Sequence, residues 1–299
     1  MSKIAILGAN SYIGRNFISY LKSRHLNEEL VLYGHSDIQL DLYDNYKKIE
    51  FDKFDSIDLI DWSVDYIYIF FGKTGTLNGF SEYDLFIDIN EKYLLHFLTQ
   101  YIKNKCKAKL IFLSSRLVYK GSKYPLKEDD EKEFKTIYAM NKFACENYLK
   151  MYHNMYNIPY VILRLCVPYG SYSVANLSYG LMNFFITKAQ NGEDINIFGD
   201  GSQKRTLTNM DYLVQILWEV AKNNKILNDT FNIGGEVLSL KEIAEKIANK
   251  YNVGINFVDC SRESLIIESG DTVFNSNKLD TLLDFKYNYK IDDYLNLLN

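Results

Sequence analysis

The chain has 299 residues and is 47% hydrophobic, enough to bury a large core in one big domain or one domain with a smaller appendage. A net charge of −4 with interspersed signs leaves no electrostatic footprint for nucleic acid. No apolar run approaches the ~20 residues of a membrane span, and the N-terminus enters an apolar strand too soon for a secretion signal, so a cytoplasmic protein is expected.

Residues 3–8 form a fully apolar strand, followed by Ala9-Asn10-Ser11-Tyr12-Ile13-Gly14 and a helix from about Arg15 to Arg24. Strand, glycine turn and helix make a dinucleotide-binding unit. Gly8 permits the tight turn, Gly14 lets the helix pack close to the strand, and the helix N-terminus offers N–H groups to a pyrophosphate. Ser11 stands where a middle glycine is usual and is small enough for close approach. A second strand, Leu30 to Tyr33, ends in Gly34-His35-Ser36. A carboxylate there would hold the ribose 2′-hydroxyl of NAD. With His35, Ser36 and Arg15 a 2′-phosphate meets donors instead, which favours NADP over NAD, although Asp37 follows directly.

Ile38-Gln39-Leu40 reads as a short third strand, with Asp41-Leu42 after it where an adenine amino group could be met. A fourth strand, Tyr66 to Phe71, leads to the polar loop Gly72-Lys73-Thr74-Gly75-Thr76 at its C-terminal end, where open α/β sheets bind ligands. A helix follows from Glu82 to Asn104. Next come the apolar run Leu110 to Leu113, ending at Ser114-Ser115, and a helix from 137 to 156 that opens with Tyr138-Ala139-Met140-Asn141-Lys142. Tyr138 and Lys142, four apart, share a helix face. A lysine cation beside a phenol favours its ionised form, and a serine hydroxyl can share the hydrogen bond, so the set can move a proton. Tyr-x-x-x-Lys also occurs at Tyr43/Lys47, Tyr101/Lys105 and Tyr119/Lys123. Only the match at Tyr138 follows a serine-ended strand and opens an amphipathic helix.

Tyr160 to Arg164 is a sixth strand, running into Pro168-Tyr169-Gly170. A smaller mixed region follows. It holds a helix from about Leu177 to Gln190, then Ile195 to Phe198, Gly199-Asp200-Gly201 and Arg205. A helix from Met210 to Ala221, a short strand through Phe231-Asn232-Ile233 and a helix from Leu240 to Tyr251 complete it. Alternating strands and helices imply a doubly wound parallel sheet of Rossmann type over 1–167, with a smaller region over 168–299 whose elements interleave with it. Cys106, Cys145, Cys166 and Cys260 lack C-x-x-C spacing and read as reduced packing residues. The four histidines are scattered, and no metal site is expected.

Together these residues resemble the extended short-chain dehydrogenase/reductase family, the NAD(P)-dependent nucleotide-sugar epimerases, dehydratases and reductases. The likeness runs through Gly8 to Gly14, Asp41-Leu42, Asn90, Ser114-Ser115, Val118-Tyr119, Tyr138/Lys142, Arg164 with Tyr169-Gly170, Arg205 with Asp211, and Phe231 to Gly234. The resemblance implies Ser115, Tyr138 and Lys142 as catalytic residues. It implies cofactor contacts from Gly8, Asn10, Ser11, Tyr12, Ile13, Gly14, Arg15, His35, Ser36, Asp41, Leu42, Gly72, Lys73, Tyr138 and Lys142. Thr74, Arg116, Arg205 and Asn232 are implied as contacts to a nucleotide-diphosphate sugar, with Arg205 on the diphosphate. It also implies a homodimer through the helices 82–104 and 137–156, with Tyr93, Leu94, Phe97, Phe143, Leu149 and Met151 as interface candidates.

Departures from the family pattern narrow the function. Dehydratases carry Asp-Glu after the catalytic serine or threonine, where this chain has Arg116-Leu117. Leu117 also replaces the cysteine of an epimerising branch, Val167 replaces an asparagine, and Glu268 replaces a phosphate-binding arginine. The expected function is NADP-dependent reduction of a nucleotide-linked 4-keto sugar, 6-deoxy. The rival is a 4-epimerase with tightly bound NAD. A third reading, from another class, is a non-catalytic NADP-binding scaffold or regulator, against which the intact Ser115/Tyr138/Lys142 set argues.

Overall fold

The computed structural model describes residues 2–24, 28–36, 45–172 and 180–298. Its main sheet has seven strands in the order β10-β6-β5-β4-β1-β2-β3, every pairing parallel. They are β1 Lys3–Leu7, β2 Glu29–Gly34, β3 Tyr46–Lys48, β4 Tyr66–Ile69, β5 Lys109–Ser115, β6 Tyr160–Leu165 and β10 Asp229–Asn232. The order reverses between β1 and β4, which opens a crevice at the C-terminal strand ends.

Both faces of this sheet are covered, which is why its inner strands β1, β4, β5 and β6 are mostly apolar rather than alternating. In β1, Ile4 and Ile6 enter one core with Phe17, Leu21, Leu213 and Leu217. Ala5 and Leu7 enter the opposite core with Tyr93, Leu94, Phe97 and Leu149. The first core is closed by helices Tyr12–Ser23 and Met210–Lys222, the second by Tyr93–Lys103 and Ile137–Tyr156. Residues 210–232 thus return from the C-terminal half to the first sheet. Beyond β6 lie two small sheets, β11-β9-β7 and β12-β8. Their strands are β7 Val167–Tyr169, β8 Ile195–Phe198, β9 Lys204–Asn209, β11 Glu236–Ser239 and β12 Ile255–Val258. They share a third core with helices Leu181–Gln190 and Leu240–Tyr251.

Several elements differ from the sequence expectation. The strand expected at Ile38 to Leu40 falls outside the described residues, and the third strand is Tyr46–Lys48, a short polar edge whose composition carries no strand signal. The fourth strand stops at Ile69. The helix expected as one piece from Glu82 is broken into Asn78–Ser81, Tyr83–Ile87, a π-helical turn Asp88–Lys92, and Tyr93–Lys103. The helix after β7, expected from about Leu177, is described from Leu181. Of the interface candidates, Tyr93, Leu94, Phe97 and Leu149 are buried against the sheet and so closed to any partner, while Met151 is exposed. No helix among the described residues is long and apolar enough to cross a membrane. No cluster of three or more His, Cys, Asp or Glu there could hold a metal ion.

One buried ion pair ties the Ile137–Tyr156 helix to the sheet. Glu146 is 0% exposed and Arg164, on β6, 2% exposed. Arg164 donates to both Glu146 oxygens, at 2.9 and 2.6 Å, and Ser114 of β5 donates to the first at 2.5 Å. Nη1 of Arg164 reaches Tyr119 Oη and the Glu128 carbonyl, both at 2.7 Å. Removing one member of such a pair leaves the other as an uncompensated buried charge. Glu146→Gln keeps the shape and should cost about 3–5 kcal/mol, read as a lowered urea midpoint. Lys120→Met, which breaks the exposed pair Lys120–Glu131, should leave that midpoint unchanged. Equal effects of the two substitutions would remove this pair from its structural role.

Candidate active site

The turn after β1 is built on backbone approach. Gly8 has φ +94°, and a Cβ there would stand 2.6 Å from Phe71 N. A Cβ on Gly14 would stand 2.5 Å from Gly8 O, so the helix sits directly on the turn. Ser11 is the helix N-cap, its hydroxyl accepting from Gly14 N at 3.0 Å, a role a glycine could not fill. Tyr12 and Ile13 follow in the first turn, and the Tyr12 phenol donates to the Gly170 carbonyl. Asn10 Nδ2 binds Ser36 O at 2.7 Å, Ser36 Oγ at 3.0 Å and Tyr46 Oη at 2.9 Å, which fixes the tip of β2. His35 is exposed beside it. Asp41 and Leu42 lie outside the described residues. Asn10 Oδ1 and Arg15 Nε are buried without a hydrogen-bond partner among the described residues. Buried polar atoms are normally paired, and two orphans beside a bare glycine turn and a helix N-terminus fit a dinucleotide's phosphates and ribose.

The loop after β4 is set by Asn90, which the sequence marks as part of the family likeness but not as a site residue. Asn90 Oδ1 accepts from Lys73 N at 2.8 Å and its Nδ2 donates to Lys73 O at 3.0 Å, a two-bond clamp on the loop backbone. Asn90 lies in the π-helical turn, whose extra residue aims the side chain at the loop. A Cβ on Gly72 would stand 3.0 Å from Asn90 Oδ1 and 3.7 Å from Lys142 Nζ. Lys73 Nζ itself pairs with Glu82 at 2.9 Å, both side chains partly exposed. Thr74, next in the loop, is exposed.

Ser115 closes β5, its hydroxyl accepting from Leu117 N at 3.2 Å. Thr136 caps the next helix by accepting from Ala139 N, which places Tyr138 in the first turn. Lys142 donates to the Leu113 carbonyl, two residues before Ser115, at 2.8 Å. Its Nζ lies 5.8 Å from the Tyr138 ring centroid and 4.6 Å from that of Phe112. Serine, tyrosine and lysine thus gather where the loop after β4 meets the end of β5. The rival motifs do not join them. Tyr101 is buried with its phenol on the Ala108 carbonyl, Tyr119 is locked between Arg164 and Asn232, and Tyr43 falls outside the described residues.

Two residues expected on the substrate are committed elsewhere. Asn232 is 0% exposed; its Oδ1 accepts from Tyr119 at 2.7 Å and its Nδ2 donates to the Leu126 carbonyl at 2.9 Å. It supports the strand ends from behind. Arg205 is 2% exposed, with Nη1 on the Lys204 and Gly270 carbonyls and Nη2 on Glu268 at 2.7 Å. The carboxylate that replaces the usual second arginine therefore occupies the first one. Arg116 is partly buried, and its one hydrogen bond among the described residues is at the limit of range, Nη1 to Thr272 Oγ1 at 3.5 Å.

A model of the NAD dependent epimerase/dehydratase family matches residues 4–234. The dTDP-4-dehydro-6-deoxyglucose reductase of Escherichia coli is 32% identical over 158 residues, 52% of this chain and 49% of the relative. A putative UDP-glucose 4-epimerase of Methanocaldococcus jannaschii is 31% identical over 153 residues, 49% and 47% of the two chains. The UDP-glucuronic acid 4-epimerase of Bacillus cereus, in complex with UDP-glucuronic acid and NAD, superposes with a TM-score of 0.84 at 22% identity, covering 98% of this chain and 96% of that one.

Among the described residues no carboxylate lies within bonding distance of Lys142, and burial pushes its pKa down to about 8 against the opposing influence of Cys145 and Glu146. The unfolded chain binds this proton more tightly between about pH 8 and 10.5, so this group's contribution to stability rises with pH through that window and is lost below it. Side-chain NMR of [13Cε]lysine-labelled protein without added ligand should show a resonance titrating near 8 that Lys142→Met removes. A Lys142 signal titrating with the surface lysines would contradict the buried setting.

Proposed function

The chain belongs to the NAD dependent epimerase/dehydratase family, and we propose that within it the protein is a ketoreductase acting at C4 of a nucleotide-diphosphate sugar. The observation that carries this reading is the Lys142 bond to the Leu113 carbonyl, which brings Tyr138 and Lys142 to the strand end formed by Ser115. When bound, the reduced nicotinamide supplies the hydride. Tyr138 donates its proton to the carbonyl oxygen as that oxygen gains charge. Lys142, cationic below its depressed pKa, favours the resulting phenolate, and Ser115 donates a hydrogen bond to the same oxygen. Water loss would need an acid and a base beside Ser115, and Arg116 and Leu117 are neither.

Gly8, Asn10, Ser11, Tyr12, Ile13, Gly14, Arg15 and Gly72 would hold the dinucleotide. Arg15, whose Nε has no partner among the described residues, the exposed His35 and the half-buried Ser36 favour a 2′-phosphate, and the described tip Gly34-His35-Ser36 carries no carboxylate, so NADP is the proposed cofactor. A reductase must exchange its cofactor every cycle, whereas a 4-epimerase ends as it began and can retain NAD. The relatives named for both activities support the shared hydride chemistry. Tyr138→Phe should lower turnover by about 10²–10⁴-fold while cofactor binding persists. With the wild type, NADPH oxidation should match sugar reduction one for one. Interconversion of two 4-hydroxy sugars without net NADPH loss would replace the reductase with the epimerase, and undiminished turnover of Tyr138→Phe would remove the tyrosine from the chemistry.

A homodimer is part of the proposal. Leu77, Phe80 and Tyr83 on one helical run and Met140, Met151 and Met155 on the Ile137–Tyr156 helix are all more than 40% exposed. Large apolar side chains on neighbouring helices support burial against a second copy. Sedimentation at micromolar concentration should give a dimer that Met151→Glu with Met155→Glu dissociates. A wild type that stays monomeric would rule it out.

A further inference from the structure

Two guanidinium groups, Arg116 and Arg205, lie near one carboxylate, Glu268, where the C-terminal ends of β5 and β6 face the small sheet containing β9, and only Arg205 bonds it. Arg116 directly follows Ser115 and leans toward Thr272, which is 0% exposed and bridged to Arg205 on β9. Cys166, just past β6, donates to the Thr272 carbonyl at 3.3 Å and closes the other side. Glu268 neutralises Arg205 at 2.7 Å and accepts from Gly270 N at 2.9 Å. Lys135, which donates to the Glu268 carbonyl, has its own counter-ion in Glu133 at 3.5 Å. Arg116 makes no ion pair among the described residues. Burial first, then the charge of Arg205, work against its protonated form, while Cys166 and Glu268 favour it. With Glu268 bonded to Arg205, Arg116 is a cation beside the proposed reacting centre that has no ion pair of its own among the described residues.

We propose that Arg116 is the receptor for a single carboxylate on the sugar ring, so that the substrate is a nucleotide-linked uronate-type sugar. This rests on the nucleotide-sugar reading above and replaces the 6-deoxy carbon expected from the sequence. Position supports it. Arg116 adjoins Ser115, and if Ser115 addresses the oxygen on C4, the nearest substituent able to carry charge is the one on C5. The diphosphate leaves from C1, across the ring. Charge supports it as well, since two guanidiniums and one carboxylate leave an excess of one, which a monoanion cancels. A dianionic diphosphate at the same place would face Glu268. The planar guanidinium fork matches a carboxylate in two parallel hydrogen bonds. A methyl group there would instead leave the cation desolvated and unpaired.

The test is calorimetric binding of paired ligands to the full chain: UDP-glucuronate against UDP-glucose, dTDP-glucuronate against dTDP-glucose, and GDP-mannuronate against GDP-mannose. In at least one pair the uronate should bind about 10- to 100-fold more tightly. Arg116→Gln should bring that pair to near parity with the hexose affinity unchanged, and Arg116→Lys, which keeps the charge but not the fork, should fall between. Thermal melting of each variant checks that it is folded, and the Lys variant decides if the Gln variant is not. Equal affinities within every pair, no binding of any uronate, or an Arg116→Gln loss equal for acid and hexose would overturn the proposal. The last outcome would assign Arg116 to the diphosphate. Binding selectivity does not depend on hydride transfer, so a Tyr138→Phe enzyme that kept both turnover and the uronate preference would sink the catalytic reading and leave this one standing.

Discussion

The structure depends on a carboxylate that solvent does not reach. Tyr138, Lys142 and Glu146 follow one another at four-residue steps along one helix face. Glu146, at the inner end, is held by Arg164 and Ser114 on the two adjacent strands β6 and β5. A buried ion pair with its lone pairs satisfied tolerates little displacement, because any slip strands a charge in a medium that solvates it poorly. The helix is therefore fixed in rotation and in register against β5. Lys142 then lands on the Leu113 carbonyl, and Tyr138 lies one turn closer to the strand end. Arg164 carries the restraint onward through Tyr119 and Asn232 to the Glu128 and Leu126 segments that back the site.

A second restraint works from the opposite side of the crevice. The π-helical turn at Asp88–Lys92 shifts the helix by one residue, and Asn90 grips the backbone of Lys73. Its carbonyl meanwhile accepts from Cys145 of the Ile137–Tyr156 helix at 3.0 Å. One asparagine thus relates the loop after β4 to the helix bearing tyrosine and lysine. Gly72 can pass between Asn90 and Lys142 because it has no side chain.

The charges at the far end follow a different logic. Arg205 sits where a diphosphate-binding arginine is expected from the family resemblance, yet Glu268 and two carbonyls already engage its guanidinium. The same substitution that removes a second arginine supplies a counter-ion for the first. Arg116, inserted directly after Ser115, is then the cation left over in this corner.

By itself the sequence determined the elements whose signal is local. The apolar strand and glycine turn at residues 3–14, the serine-ended strand at 110–115 and the helix 137–156 all lie where their composition places them. Both faces of the sheet's centre are buried, so apolar runs mark its inner strands. Tertiary structure alone decided the rest. The edge strand Tyr46–Lys48 and the strands of the small sheets are short and half polar, and they exist because a neighbouring backbone supplies their hydrogen bonds. Asn232 and Arg205 read as ligand contacts from their motifs, but whether a polar side chain faces a ligand or a buried partner depends on residues distant in the chain. Those partners are Tyr119 in one case and Glu268 in the other. Hydrophobic periodicity is written in adjacent residues, whereas the pairing of buried charges is settled only when the chain folds back on itself.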